Sequence, residues 1–325
     1  MSPTSKEYLY RIHGMLLCAK FEIEPWSTAR EAEEQGGSDG AGLELVRAPR
    51  TMLSTLGVRS TVLRRSGVAV DRGPRGLLLD SGRGDLAWLE TTSSNESGQR
   101  RRLHLFRGRR SPRDQFERLI ANSFVPNALA ESGHVMLHAA AIVVNGQAVL
   151  FCGPSGAGKS TLAAGFARRG LRVLSDDVLR VASDQPGVWN TYPSYPSIHL
   201  RQGSFLQGWA SEHAGAVRGR SKSWFGSDVR GDQSLSYPVA CMYVLGRQRA
   251  AQPSFSRIGG VASLDGWIRA LFMDAVAPDS RAVDALSRAS RLSREIPTFQ
   301  LRYRRTASRF EELLDAAIKH VLSLR

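Results

Sequence analysis

The chain has 325 residues, 42% of them hydrophobic, with 44 Lys and Arg against 30 Asp and Glu for a formal charge of +14. That length suits one large or two modest domains, and the composition excludes a mainly disordered or fibrous chain. Arginine makes up 39 of the 44 basic residues, which reads as a solvated arginine-rich surface, so no nucleic-acid partner is expected despite the charge.

From the N-terminus, Tyr8 to Glu24 alternates apolar and polar residues irregularly and predicts one or two strands ending before Pro25. Residues 31–42, EAEEQGGSDGAG, read as a mobile loop. Between Val58 and Leu89 the pieces STVLRR, GVAVD, GLLLD and DLAWLE are separated by Gly, Pro and Asp, predicting a small antiparallel β domain. A polar stretch follows, then Arg100, Arg101, Arg102, Arg107, Arg109, Arg110 and Arg113, with no carboxylate before Asp114. The interleaved LHLF predicts an exposed strand with arginine on one side. It is either a solvated edge guarded against pairing or a surface for an acidic peptide or a phosphate-rich ligand. Asp114 to Ser123 has helical spacing and reads as a connector, so the domains are expected at 1–125 and 126–325.

From Val135 the pattern sharpens. VMLHAAAIVV and AVLFCG flank Asn145-Gly146, the dipeptide most favoured for a type I′ hairpin. In the C-terminal third, Leu264–Ala275, Ala282–Arg291 and Phe310–Leu322 have helical spacing, with a strand-like TFQLRYRR between the last two. The three cysteines, Cys18, Cys152 and Cys241, are far apart and form no CxxC, which disfavours a disulfide framework or a zinc site and suits a reducing compartment. With no signal-like N-terminus and no run of about 18 apolar residues, a cytoplasmic, unanchored protein is expected.

The hairpin delivers the chain to GPSGAGKST, a complete GxxxxGK[ST] motif, which a helix-capable segment follows. Gly153, Pro154, Ser155, Gly156, Ala157, Gly158, Lys159, Ser160 and Thr161 are therefore the candidate nucleotide-binding residues. Glycines let backbone N–H groups close on phosphate oxygens, Lys159 reaches the outer phosphates, and Ser160 offers a hydroxyl to Mg²⁺. After Gly170, LRVLSDD predicts a short strand ending in Asp176 and Asp177. Carboxylates there can meet metal and terminal phosphate, one holding Mg²⁺ and the other accepting a proton from an incoming hydroxyl. An LSGGQ-like signature with a distant Asp-Glu strand is missing, which argues against a transporter-type ATPase. So is NKxD, which argues against a Ras-like GTPase; a small-metabolite kinase stays open.

His138, GPSGAGKST and LSDD together resemble the catalytic domain of HPr kinase/phosphorylase, a bacterial serine kinase with a P-loop fold akin to phosphoenolpyruvate carboxykinase. The likeness covers residues 131–322. It implies an α/β P-loop kinase domain with a smaller β-rich N-terminal domain, using ATP and Mg²⁺. The implied catalytic residues are Asp177 as general base, Lys159, His138 and Asp176, with Ser160 and Asp176 at the metal. For His138 two readings stand: a group near the transferred phosphoryl, or a hairpin residue capping a backbone carbonyl. Where the family carries a glutamate metal ligand, SIHLRQG offers His199, and the element tied to phosphorolysis is not recognisable, which implies a kinase alone. The basic run AVRGRSKSWFGSDVR, with Arg218, Arg220 and Lys222, is either a segment that closes over nucleotide or a mobile loop. YLYRIHGMLLCAKF, LHAAAIVVNG and PVACMYVLGR look most like the related kinases of lasso-peptide clusters, which phosphorylate the C-terminal serine of a precursor peptide. The expected partner is thus that peptide, or alternatively an HPr-like carrier protein. No membrane partner is expected, and a homo-oligomer is possible.

Overall fold

The computed structural model describes residues 8–13, 15–19, 21–23, 42–55, 63–65, 68–73, 76–90, 101–194, 197–201, 203–206, 208–209, 217–218, 222–226, 236–246, 250–272, 279–304 and 306–324. The Gly-rich stretch expected as a loop at 31–42 and the polar stretch before Arg101 lie almost wholly outside them. The chain divides into two compact units that part between Gly133 and His134; the sequence placed the boundary at 125/126.

The first unit carries a sheet of eight strands: β1 (Tyr8–Ile12), β2 (Met15–Ala19), β3 (Leu43–Arg47), β4 (Leu63–Arg65), β5 (Val68–Gly73), β6 (Gly76–Asp80), β7 (Leu86–Glu90) and β8 (Arg101–Phe106). Their order is β1-β2-β3-β8-β7-β6-β5-β4. The sheet is mixed rather than antiparallel, because β3 pairs parallel with both β2 and β8. Parallel neighbours are distant in sequence and have no turn signature, so local reading found the hairpins and missed β3. A second correction concerns 101–106. β8 is an interior strand between β3 and β7, with Leu103, Leu105 and Phe106 buried and Arg102 exposed, so it is not an edge. Its arginines face partners: Arg102 Nε donates to Glu44 Oε2 at 2.8 Å, and Arg101 Nη1 to Ser132 Oγ at 2.6 Å. The helix expected at 114–123 is α1 (Arg113–Leu119), which continues through a π-turn at Ile120–Phe124 into α2 (Val125–Glu131).

The second unit is built on β9 (Val135–Val144), β10 (Gln147–Cys152), β11 (Val173–Ser175), β12 (Val178–Gln185), β13 (Val188–Thr191), β17 (Tyr237–Leu245), β18 (Ser254–Ile258) and β19 (Thr298–Arg302). The order is β10-β9-β12-β13-β17-β19-β18, with β11 on β9 and a further parallel pairing of β10 with β17. At the β9–β10 turn Asn145 (φ 54°) and Gly146 (φ 78°) are both left-handed, as a type I′ turn requires.

Side chains alternate between two apolar layers. Ala140, Ile142, Val149 and Phe151 face α3 (Lys159–Arg168) and the C-terminal helix Phe310–Leu322, whereas Leu137, Ala139, Ala141, Leu150 and Cys152 join Trp267, Ala289 and Leu292. A strand buried on both faces reads as a near-continuous apolar run, which is what made β9 and β10 conspicuous. Trp267 lies on α4 (Gly260–Ala270), Ala289 and Leu292 on α5 (Asp279–Glu295), and the C-terminal helix is α6 (Phe310–Leu322). The three C-terminal helices thus exist, the first two with earlier starts than their apolar spacing suggested. β14 (Ser197–Arg201), β15 (Val217–Arg218) and β16 (Lys222–Gly226) form a small separate sheet. Arg218 and Lys222 therefore sit on strands rather than in a loop; Arg220 lies outside the described residues. All three cysteines are buried, and none of them forms a disulfide.

Candidate active site

β10 runs directly into the glycine-rich segment, and α3 begins at Lys159. Gly158 takes φ +105°, and a Cβ there would meet the Tyr303 hydroxyl at 2.6 Å. Gly153 has φ +152°, and a Cβ would fall 2.7 Å from the Leu245 carbonyl oxygen. Glycine is thus required at both ends of the loop, once by conformation and once also by the end of β17 pressing against it. Tyr303 locks the loop from beyond β19, its hydroxyl donating to the Ala157 carbonyl at 3.2 Å.

The first intrahelical bond of α3 runs from Leu162 N to Gly158 O at 2.9 Å. The N–H groups before it point out of the helix end, where the positive pole of the peptide dipoles favours an anion. Lys159 lies 7% exposed, and its Nζ donates to the Gly153 carbonyl at 2.8 Å, so the ammonium is parked on the loop's own backbone. Gly170 (φ +78°) ends the segment, with Leu171 N bonded to Phe166 O and Gly170 N to Ala167 O, a Schellman closure.

Asp176 and Asp177 occupy the bend between β11 and β12. Ser175 shapes it: its hydroxyl donates to Val178 O at 2.9 Å and accepts from Asp177 N at 3.2 Å. The two carboxylates then part company. Asp177 is one-third exposed, and its Oδ1 meets His138 Nδ1 at 3.0 Å. That contact follows from register, since His138 on β9 pairs with Val178, the residue after Asp177. Asp176 points inward, its side chain fully buried, and Oδ2 accepts the His199 backbone N–H at 2.7 Å, with the imidazole Nδ1 3.6 Å away. Oδ1 has no hydrogen-bond partner among the described residues. Burial pushes the Asp176 carboxyl up to about 8; the His199 N–H opposes this, Asp177 adds to it, and Ser160 and Lys159 oppose it weakly. A buried carboxylate oxygen without a donor, next to the Ser160 hydroxyl, suits a hard divalent cation that takes few protein oxygens and completes its shell with phosphate and water. Among the described residues no three His, Cys, Asp or Glu side chains are grouped to hold a metal by themselves.

These groups line one cleft of about 440 Å³: His138, Ser155 through Thr161, Asp176, Asp177, His199, Leu200 and Gly203 through Phe205. Gly153 and Pro154 belong to the loop but do not line it. His199, noted in sequence only as the counterpart of a missing glutamate, meets Asp176 through both its backbone N–H and its buried imidazole. Three participants carried no sequence signal of their own: Ser175, Tyr303, and Phe205, which is 49% exposed with its ring edge-to-face on Phe310 at 4.9 Å. Only Ser175, preceding the paired aspartates, sat where a turn-forming hydroxyl is a reasonable guess.

No protein-family model matches the chain, and no curated protein matches it. A solved structure, the HPr(Ser) kinase/phosphatase from Coxiella burnetii, aligns with 58% of this chain and 97% of its own, at 13% identity and a TM-score of 0.32. No helix among the described residues is long and apolar enough to cross a membrane.

Proposed function

We propose that the second unit is a P-loop kinase that transfers the γ-phosphoryl group of ATP to a serine hydroxyl in the presence of Mg²⁺. The observation that carries this is the convergence, in one cleft, of the α3 N-terminus, Lys159 and Ser160 with two carboxylates in opposite environments. A nucleotide phosphate arriving at the loop offers the Lys159 ammonium a stronger acceptor than the Gly153 carbonyl. The loop N–H groups and Lys159 then bind and orient the triphosphate. The Ser160 hydroxyl and the Asp176 carboxylate would hold Mg²⁺, which when bound supplies positive charge to the phosphate oxygens.

Asp177, the exposed member of the pair, faces the cleft and serves as the base. The acceptor oxygen bonds to the γ-phosphorus, its O–H proton passes to Asp177, and the bond to ADP breaks with its electrons leaving on the β-phosphate oxygen. His138 at 3.0 Å holds that carboxylate in one orientation and, when protonated, balances its charge. Asp176 is buried and Asp177 one-third exposed at the cleft, so the two neighbouring carboxylates stand in different environments and are assigned different roles.

The residue resemblance favours a peptide acceptor, the C-terminal serine of a lasso precursor peptide, over an HPr-like carrier protein. Intact-mass spectrometry of a peptide ending in serine, incubated with the protein, ATP and Mg²⁺, tests both reaction and acceptor. A gain of one phosphate (about 80 Da) or several, abolished in Asp177→Asn, supports the reading. Labelling of a carrier protein alone redirects the acceptor, and ATP loss with neither labelled favours a small metabolite.

A further inference from the structure

The arginines at 107–110 are not absorbed by the proposed chemistry, and the first unit displays them in an ordered way. Asp85, fully buried, accepts the Gly108 backbone N–H at 2.7 Å through Oδ1 and the Ser111 hydroxyl at 2.8 Å through Oδ2. One buried carboxylate therefore ties down the turn after β8. The neighbouring turn 81–85 is pressed against it: a Cβ on Gly108 would lie 3.2 Å from the Gly84 carbonyl carbon. Arg50 braces that second turn from a third segment, its Nη1 donating to Gly84 O at 2.7 Å.

Around this junction Arg50, Arg83, Arg107, Arg109 and Arg110 are all exposed. Among the described residues, Arg83, Arg107, Arg109 and Arg110 form no ion pair with a carboxylate. The acidic groups nearest in sequence are committed elsewhere. Asp80 accepts Gly82 N at 2.7 Å, Asp114 pairs with Arg118 at 2.5 Å, and Glu117 is buried against Arg113 at 2.6 Å. Arg47 is lowered in pKa first by burial and then by Arg113, with Glu117 opposing and Arg107 adding a smaller lowering.

Concentrated positive charge on a braced loop, without a carboxylate partner among the described residues, points to a ligand that supplies it. Guanidinium forks suit carboxylates bidentately. Among the described residues of the first unit no large aromatic or aliphatic side chain is exposed, so these residues offer no stacking platform of the kind a single-strand nucleic-acid binder uses. We propose that the two abutting turns, 81–85 and 107–111, form a docking surface for an acidic polypeptide segment. The surface lies within one unit, and its occupancy does not depend on the phosphoryl-transfer reading.

The test is fluorescence anisotropy with the full chain and a labelled ten-residue peptide of alternating Glu and Ser. Arms with the Gln-for-Glu peptide and with a ten-nucleotide oligothymidylate run beside it. The Glu peptide should bind in a salt-sensitive manner, and the Gln peptide should not. Arg107→Gln/Arg109→Gln/Arg110→Gln should weaken binding about tenfold, the sum of three exposed pairs. Arg257→Gln/Arg294→Gln/Arg302→Gln removes the same charge from exposed positions of the other unit and should change it less than about twofold. Equal loss in both triple variants, or no binding of the Glu peptide, overturns the proposal. So does tighter, 107–110-dependent binding of the oligonucleotide.

Discussion

Two loops in this chain present groups suited to anions, and they are built in opposite ways. Residues 153–158 act through the backbone: glycines at the ends, an ordered turn into α3, and N–H groups aligned by the helix itself. Residues 107–111 act through side chains, and what orders them is Asp85, a buried carboxylate from another strand connection. A backbone site needs its neighbours only to lock it, as Tyr303 does, whereas a side-chain site held by one distant anchor depends wholly on that anchor. The first kind suits a fixed triphosphate, and the second a variable acidic chain.

Removing function without removing architecture sharpens the contrast most. Lys159→Met should lower phosphoryl transfer by about 10²–10³, while circular dichroism and the unfolding midpoint stay close to the parent's, since the methionine keeps the apolar stem and the ammonium's bond to the Gly153 carbonyl is made within the loop. An equal loss of stability would mean that Lys159 is an architectural strut. On the other loop Asp85→Ala should cost about 3 kcal/mol, because two donors lose a buried anionic acceptor. Denaturant unfolding reads the cost, and hydrogen exchange at Gly108 should accelerate without change at Ala157. If both loops loosen together, the contrast between them fails.

Asp176 gives a pH-dependent version. Its folded pKa of about 8 lies above the ordinary 3.8, so the stability it contributes is present below about pH 4 and is lost as pH rises through 8. In chelator and without nucleotide, Asp176→Asn should therefore melt about 3–6 °C higher than the parent at pH 9, and the gap should close toward pH 4. A gap that is constant with pH would mean that the carboxyl stays ionised. The smallest effect is expected from Tyr303→Phe, which removes one hydroxyl from the Ala157 carbonyl and should cost about 0.5–1.5 kcal/mol. Nucleotide affinity measured by calorimetry should fall less than about tenfold.

Much of the second unit was legible because its signals are local. Asn145-Gly146 dictates its turn by the sign of φ, the apolar runs on either side declare doubly buried strands, and GPSGAGKST carries its own geometry. The first unit was read less well. Its hairpins were visible, yet β3 and the interior placement of β8 depend on parallel partners far away in sequence, and arginines suggested an edge where alternation with Leu103 and Leu105 buries a central strand.

By itself, the sequence determined the loop that bends back on its own N–H groups, the hairpin that feeds it, and the adjacency of two aspartates one strand later. All of these are fixed by φ preferences and side-chain period within a few residues. Only the tertiary structure decided that Asp176 turns into a dry pocket while Asp177 meets His138 in water, and that Asp85 reaches across to order an arginine loop. Burial and cross-strand register exist only once distant segments are packed together, and they separate chemically identical side chains into different roles.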